Sequence, residues 1–214
     1  MPSQTLASYK NGMHRLIDGP DWDDVRDATE SDSVTIGGLL YTEGLKWAST
    51  TWIVARTFLT FQIPSIPSNN IITSASLKFY TLLYTSPARV IAGTRSDPEN
   101  NITVGDYNQV NFNTAYSDVV DGSNPNFTLN STGIDYLNSK TGTNAELITV
   151  QETDYSDTEP ANNGHRAYFY GATSEDYYPR LTINYEAAPM KSGFSNVHLK
   201  GGEFHVGSNA KIIV

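Results

Sequence analysis

Between Thr51 and Tyr80 apolar residues recur at every second position in two stretches. Ala55, Leu59, Phe61 and Ile63 share one parity in the first, and Ala75, Leu77 and Phe79 do so in the second. A period of two places each set on one face of an extended strand, whereas a helix would need a spacing near 3.6. The stretch between them, IPSIPSNN, carries Pro64 and Pro67, which lack the N–H a β-ladder needs, and Asn and Ser residues that bond their own backbone in turns. The pattern predicts a hairpin that serves as scaffold, with Leu59, Phe61, Leu77 and Phe79 meeting between two sheets.

Strand signals of this kind follow at short intervals, near residues 33–41, 51–63, 75–84, 88–94, 126–130, 146–152, 165–172 and 180–186, separated by Gly, Pro, Asn and Asp clusters. Residues 131–140 form the one predicted helix, with Ser131 or Thr132 as N-cap and Ile134 and Leu137 one turn apart. Residues 1–13 read as a polar N-terminal arm, and the segment from Asp18, with its Trp22 and Val25 pair, as an entry loop. About eight short strands and one helix over residues 14–187 predict an all-β, jelly-roll-like antiparallel sandwich.

Beyond Glu186 the character changes: AAPMKSG has the composition of a linker, and residues 188–214 read as a β-hairpin extension for attachment or oligomerisation. A two-residue turn at Gly201 and Gly202 sets Lys200 opposite Glu203, Leu199 opposite Phe204, His198 opposite His205 and Val197 opposite Val206. Val197, Leu199, Phe204 and Val206 then share an apolar face. Gly207, Ser208 and Asn209 turn the chain again into AKIIV, where Ile212 and Ile213 extend the assembly candidates. Such a meander is too small to be stable alone and must pack on something.

A chain of 214 residues buries a sizeable core as one main domain. Its formal charge of −9 and its 14 scattered Lys and Arg residues argue against nucleic acid or an anionic membrane as partner. The absence of cysteine excludes disulfides, thiolate zinc sites and a thiol nucleophile. No export leader and no membrane-spanning run is evident in the sequence.

Candidate chemistry is sparse. Carboxylates cluster at Asp21, Asp23 and Asp24, at Asp97 and Glu99, and at Asp154, Asp157 and Glu159. A glycosidase needs two of them at a set separation across a cleft, and solvated loop charge is the simpler reading. Asp154, Asp157, Glu159 and Asn163 offer several hard oxygens in one loop and are the candidate calcium ligands, without an EF-hand pattern. His198 and His205 face each other but lack a third ligand. Among the aromatics, Trp47, Tyr177 and Tyr178 are candidates to stack on sugar rings, whereas Trp52 and the strand tyrosines are expected to cover sheet faces. The sequons at Asn101, Asn126 and Asn130 are expected by chance in so Asn- and Thr-rich a chain. No G-x-S-x-G, H-E-x-x-H, Walker A or G-x-G-x-x-G motif is present.

Arg56, Phe61, Ile66, Pro67, Ile72, Ala75, Leu77 and Tyr80 resemble the opening signature of the DNRLRE-type, carbohydrate-binding-module-like β-sandwich domains found in phage virion and cell-surface proteins. Pro179, Leu181, Ile183 and Tyr185 are similar to that family's closing strand. Gln62 and Tyr178 depart from it, standing where an Asp and an Arg are frequent. The resemblance spans roughly residues 14–187 and implies an appended or surface sandwich, bringing no catalytic residues with it. The expected function is a non-enzymatic structural protein on the surface of a bacteriophage particle, as capsid decoration, head fibre or tail component, without a resident cofactor. Its expected partners are other virion proteins and further copies of the chain. The first rival is a carbohydrate-binding module, extracellular or at a cell surface, that recognises glycans. The second is a glycan-active enzyme.

Overall fold

The computed structural model describes residues 2–17, 19, 21–48, 51–84, 87–122, 125–161, 166–170, 177–188, 197–200 and 203–206. In chain order the elements are β1 (Ser3–Ala7), β2 (Lys10–Ile17), α1 (Trp22–Arg26), β3 (Ser33–Ile36), β4 (Leu39–Ala48), β5 (Thr51–Gln62), β6 (Asn70–Lys78), β7 (Thr81–Tyr84), β8 (Ala88–Gly93) and β9 (Val110–Ala115). They continue with β10 (Asn126–Thr128), α2 (Ser131–Ser139), β11 (Asn144–Gln151), α3 (Glu152–Tyr155), β12 (Arg166–Tyr170), β13 (Arg180–Ala187), β14 (Val197–Lys200) and β15 (Glu203–Val206). The protein is an all-β sandwich. A four-stranded sheet, β1-β13-β6-β10, faces a nine-stranded one, β7-β12-β4-β5-β11-β8-β9, in which β2 also pairs with β5 and β3 with β2.

The period-two faces form as expected. Leu59, Phe61 and Ile63 meet Ala75, Leu77 and Phe79 in the main core, together with Leu147, Leu181 and Ile183. Phe79 stands edge-on to Phe127 at 5.9 Å and lies against Phe169 at 4.2 Å. The expected hairpin between the two runs does not form, because β5 and β6 belong to different sheets. β5 has no vacant edge: β2 runs along Ile53–Thr60 on one side, while β4 takes Thr51–Ala55 and β11 takes Thr57–Gln62 on the other. The proline-rich segment is instead a crossover between layers, tied to the start of β11 where Ile63 N–H donates to the Thr143 carbonyl at 2.8 Å.

Residues 1–13 are likewise no loose arm. β1 pairs with β13 in the small sheet and β2 with β5 in the large one, so residues 3–17 stitch both layers together. β1 is an edge strand with one ladder and little burial, which is why its sequence is polar. The segment predicted as one strand over 33–41 breaks at Gly37 and Gly38, both left-handed with φ near +66° and +67°. That over 75–84 breaks where the chain leaves the small sheet for the large one. The N-cap of α2 is Asn130, whose side chain accepts from Gly133 N–H, one residue before the predicted caps.

β5 is buried on both faces, with ten consecutive buried residues. Its outer face is covered by α1, α3 and the chain between β8 and β9, giving one apolar cluster of Trp22, Val25, Trp52, Val54 and Tyr107 and another of Phe58, Ile91, Ile102, Ile148 and Val150. The C-terminal hairpin has the register read from its glycine turn, Val197 with Val206, His198 with His205, Leu199 with Phe204 and Lys200 with Glu203.

Phe61 is fully buried between the sheets, so Phe61→Ala is expected to cost about 3–5 kcal/mol in urea unfolding. A near-neutral result would contradict the facing of β5 described above.

Candidate functional site

Polar side chains gather at three places on the large sheet. The first lies where β4 and β11 part along β5, opposite the single residue Arg56. Arg56 is 1% exposed and its Nε and Nη2 each donate to one Asp154 oxygen at 2.9 Å, a bidentate pair. Nη1 donates to the Tyr107 carbonyl at 3.0 Å and Nη2 to the Arg26 carbonyl at 2.6 Å. The guanidinium stacks on Tyr107, 4.2 Å away, whose hydroxyl donates to the Val25 carbonyl. Arg26 Nε donates to the Asp154 carbonyl at 2.9 Å. Burial opposes the charge on Arg56, but the Asp154 carboxylate, Tyr107 and Asp27 together outweigh it and the guanidinium's pKa is pushed up, so it stays protonated. Burial also pushes the Tyr107 phenol above its usual range. An arginine locked in this way cannot exchange protons; it fastens α1, α3 and the Tyr107 loop to the sheet.

The second place is beside it on the same outer face. His14, paired across strands with Arg56, shares a 3.0 Å hydrogen bond between its Nδ1 and Ser31 Oγ and lies edge-on to Phe58 at 4.8 Å. Burial lowers its pKa to about 4, with Asp106 pulling the other way and Arg56 and Arg95 reinforcing the shift. Glu146 Oε2 accepts from Arg95 Nη1 at 2.8 Å, and Arg95 Nη2 donates to the Asn100 carbonyl at 2.9 Å. Burial pushes the Glu146 carboxyl up to about 7 against the pull of Arg95. Gly93 leaves the room that Glu146 Oε1 occupies; a Cβ there would collide with it.

The third is a surface row on β2, β4 and β12. Register sets Arg166 opposite Glu43 and Tyr168 opposite Tyr41, while Ala55 lies between Glu43 and Arg15. Directly opposed residues share a face. Glu43, 1% exposed, accepts from Arg15 Nε at 3.0 Å and from the Tyr168 hydroxyl at 3.2 Å, and pairs with Arg166 Nε at 3.9 Å. Arg166 lies over the Trp47 ring at 4.7 Å, and Tyr41 stands edge-on to Tyr168 at 4.7 Å. Burial first, and the Glu43 carboxylate second, raise the Tyr168 phenol above its usual value. Trp47 is 58% exposed at the end of this row. The arrangement offers a flat indole and fixed guanidinium groups to solvent.

Of the residues singled out from sequence, Trp47 belongs to this row. Tyr177 instead meets Tyr80 edge-on at 5.5 Å, and Tyr178 is half-buried. Trp52 covers the outer sheet face against Trp22, 6.2 Å away. The three described calcium candidates are engaged by cations of the chain itself: Asp154 is buried on Arg56, Asp157 pairs with Arg26 at 3.4 Å and accepts from Trp22 Nε1 at 3.3 Å, and Glu159 pairs with Lys46 at 3.3 Å. Asn163 lies outside the described residues, as do Ile212 and Ile213. Among the described residues no three His, Cys, Asp or Glu side chains gather as metal ligands do, and no helix is long and apolar enough to cross a membrane. Val197, Leu199, Phe204 and Val206 are placed only by the backbone register of their hairpin. Arg15, Glu43 and Arg166 were not anticipated; the one signal was charge inside strand-like runs, Glu43 in LLYTEGLKW and Arg166 in HRAYFY, while Tyr41 and Tyr168 were hidden among the strand tyrosines.

No protein-family model matches the chain, and no curated protein matches it.

Asp154→Ala strands Arg56 as an uncompensated buried charge and is expected to cost about 3–5 kcal/mol, whereas Arg56→Met combined with Asp154→Leu should recover much of that loss. Equal losses in the single and double variants, measured by denaturant unfolding, would show that the pair is not what holds the cap.

His14 and Glu146 work in opposite senses. Between pH 6.5 and about 4 the unfolded chain binds a proton on His14 that the folded chain does not, so stability falls as pH drops through that window. The folded Glu146 keeps its proton up to about pH 7 while the unfolded group releases it near 4.5, so its contribution is present below 4.5 and lost as pH rises to 7. Acidification from pH 6.5 to 4.5 should therefore favour His14→Phe over the wild type and penalise Glu146→Gln, with unfolding midpoints as the measure.

Proposed function

We propose that the chain is a non-enzymatic structural protein of a virus particle of the bacteriophage kind, displaying its sandwich outward as capsid decoration, head fibre or tail component. The observation that carries this reading is where the buried charge goes. Asp154 clamps Arg56 and Glu146 holds Arg95, and the part-exposed Glu152 grips Arg89 with two bonds of 2.6 and 2.7 Å, each pair tying a loop or helix to the large sheet. These pairs fasten the helices and loops to the outer face of the large sheet, and a firmly fastened cover suits a displayed module. The resemblance of residues 14–187 to DNRLRE-type sandwiches supplies the virion setting. Segment 188–214, with the alternating Val197, Leu199, Phe204 and Val206, is the attachment or oligomerisation element, and other virion proteins and copies of the chain are its partners.

A second reading, recognition of a glycan by the same displayed sandwich, is favoured by the exposed Trp47 beside Arg166 and Tyr168. The two are compatible on one particle.

Mass spectrometry and imaging of purified particles are expected to place the protein on the particle surface. Deletion of residues 190–214 should abolish incorporation while leaving the unfolding midpoint of the sandwich unchanged. Unimpaired incorporation together with a collapsed midpoint would reverse the roles assigned to the two parts.

A further inference from the structure

The surface row contains more than an exposed tryptophan. Arg15 is anchored through Nε alone, by the buried carboxylate of Glu43, and its guanidinium lies 6.0 Å from the centre of the Tyr41 ring. Its Nη1 and Nη2 have no partner among the described residues, and its side chain is 31% exposed. A guanidinium held by one edge keeps its other edge in a fixed orientation, with two parallel N–H donors whose spacing fits the two oxygens of a carboxylate. Glu43 is 1% exposed and cannot take these donors as well without turning away from Tyr168 and Arg166. At the other end of the row, Arg166 lies over the Trp47 ring, and Trp47 is still 58% exposed. A flat, open indole face suits the C–H face of a pyranose ring, and a free guanidinium edge suits an acid group.

We propose that this row is a binding site for an acidic oligosaccharide of the hexuronic acid class, in which Trp47 stacks on one sugar ring and Arg15 takes the carboxylate of another unit. The inference rests on the glycan-binding reading and adds the charge of the ligand to it. An oligomer is required because Trp47 and Arg15 are joined only through Arg166 and Glu43, so the two groups engage different parts of the ligand. The chain's formal charge of −9 makes the point sharper: the site is a local pair of guanidinium groups on a molecule whose overall field repels anions. Binding therefore depends on direct contact with Arg15 rather than on general attraction.

The test uses the full chain and trigalacturonate in calorimetric titration, beside the same trisaccharide with its carboxyl groups reduced to alcohols, and penta-glutamate. Trigalacturonate is expected to bind, with a loss of about tenfold or more on carboxyl reduction and a similar loss in Trp47→Ala and in Arg15→Gln, as expected for removing a stacked ring or a charge-assisted bond. Trp47 is largely exposed, so its variant should unfold at the wild-type midpoint. Should Arg15→Gln unsettle Glu43, the reduced trisaccharide poses the same question without altering the protein. Equal binding of the acidic and reduced sugars, both lost in Trp47→Ala, would overturn the acidic class and leave glycan recognition standing. No binding of either sugar would overturn the proposal and remove support for the glycan reading together. Penta-glutamate binding as tightly as trigalacturonate would overturn it in favour of an acidic peptide.

Discussion

The bidentate bond between Arg56 and Asp154 is the constraint on which the rest of this sandwich depends. Among the described strands β5 alone has three neighbours, and Arg56 sits where β4 leaves its edge and β11 takes over. A fork in a sheet leaves backbone and side chains there without regular ladder partners, and a buried guanidinium with donors in several directions fills that need. Its contacts reach α1, α3, the loop before β9 and Phe112 on β9 itself, so covering the outer face of the sheet and stabilising the fork are the same event. A buried pair of this kind gains little over an apolar replacement, but losing one partner is costly, which makes it a device for specificity more than for raw stability.

The same logic separates the inner and outer faces of the large sheet. Between the sheets, packing is apolar and aromatic, centred on Phe61, Phe79, Phe127 and Phe169, and it depends on shape. On the outer face the packing is mixed, with Trp22, Trp52 and Phe58 interleaved among His14, Arg56, Arg95 and Glu146. His14 and Glu146 both have their charged forms disfavoured by burial, and their opposing pH responses offset one another.

The solvent-facing row of Trp47, Arg166, Glu43 and Arg15 uses charge differently. There a single buried carboxylate organises two guanidinium groups and leaves part of one of them facing outward. The contrast with Arg56, each of whose three nitrogens donates inside the protein, distinguishes an arginine that holds the protein together from one whose Nη groups have no such partner among the described residues.

Period-two alternation determined the all-β class, the two apolar faces of residues 55–63 and 75–79, and most strand positions, because alternation is a local property of an extended chain. The register of the C-terminal hairpin was equally legible, since a two-residue glycine turn allows only one pairing. The partner of each strand was not. Whether β6 follows β5 as a hairpin or crosses to the other sheet depends on whether β5 has a free edge, and that is settled by β2, β4 and β11, which lie far away in sequence. For the same reason the polar residues 3–17 concealed two strands, and Glu43, Arg15 and Arg166 became neighbours only through the pairing of β4 with β5 and β12. Asp154 was visible as an acidic loop residue, and only the fold turned it inward onto Arg56, because a buried guanidinium requires a counter-charge wherever the chain can bring one.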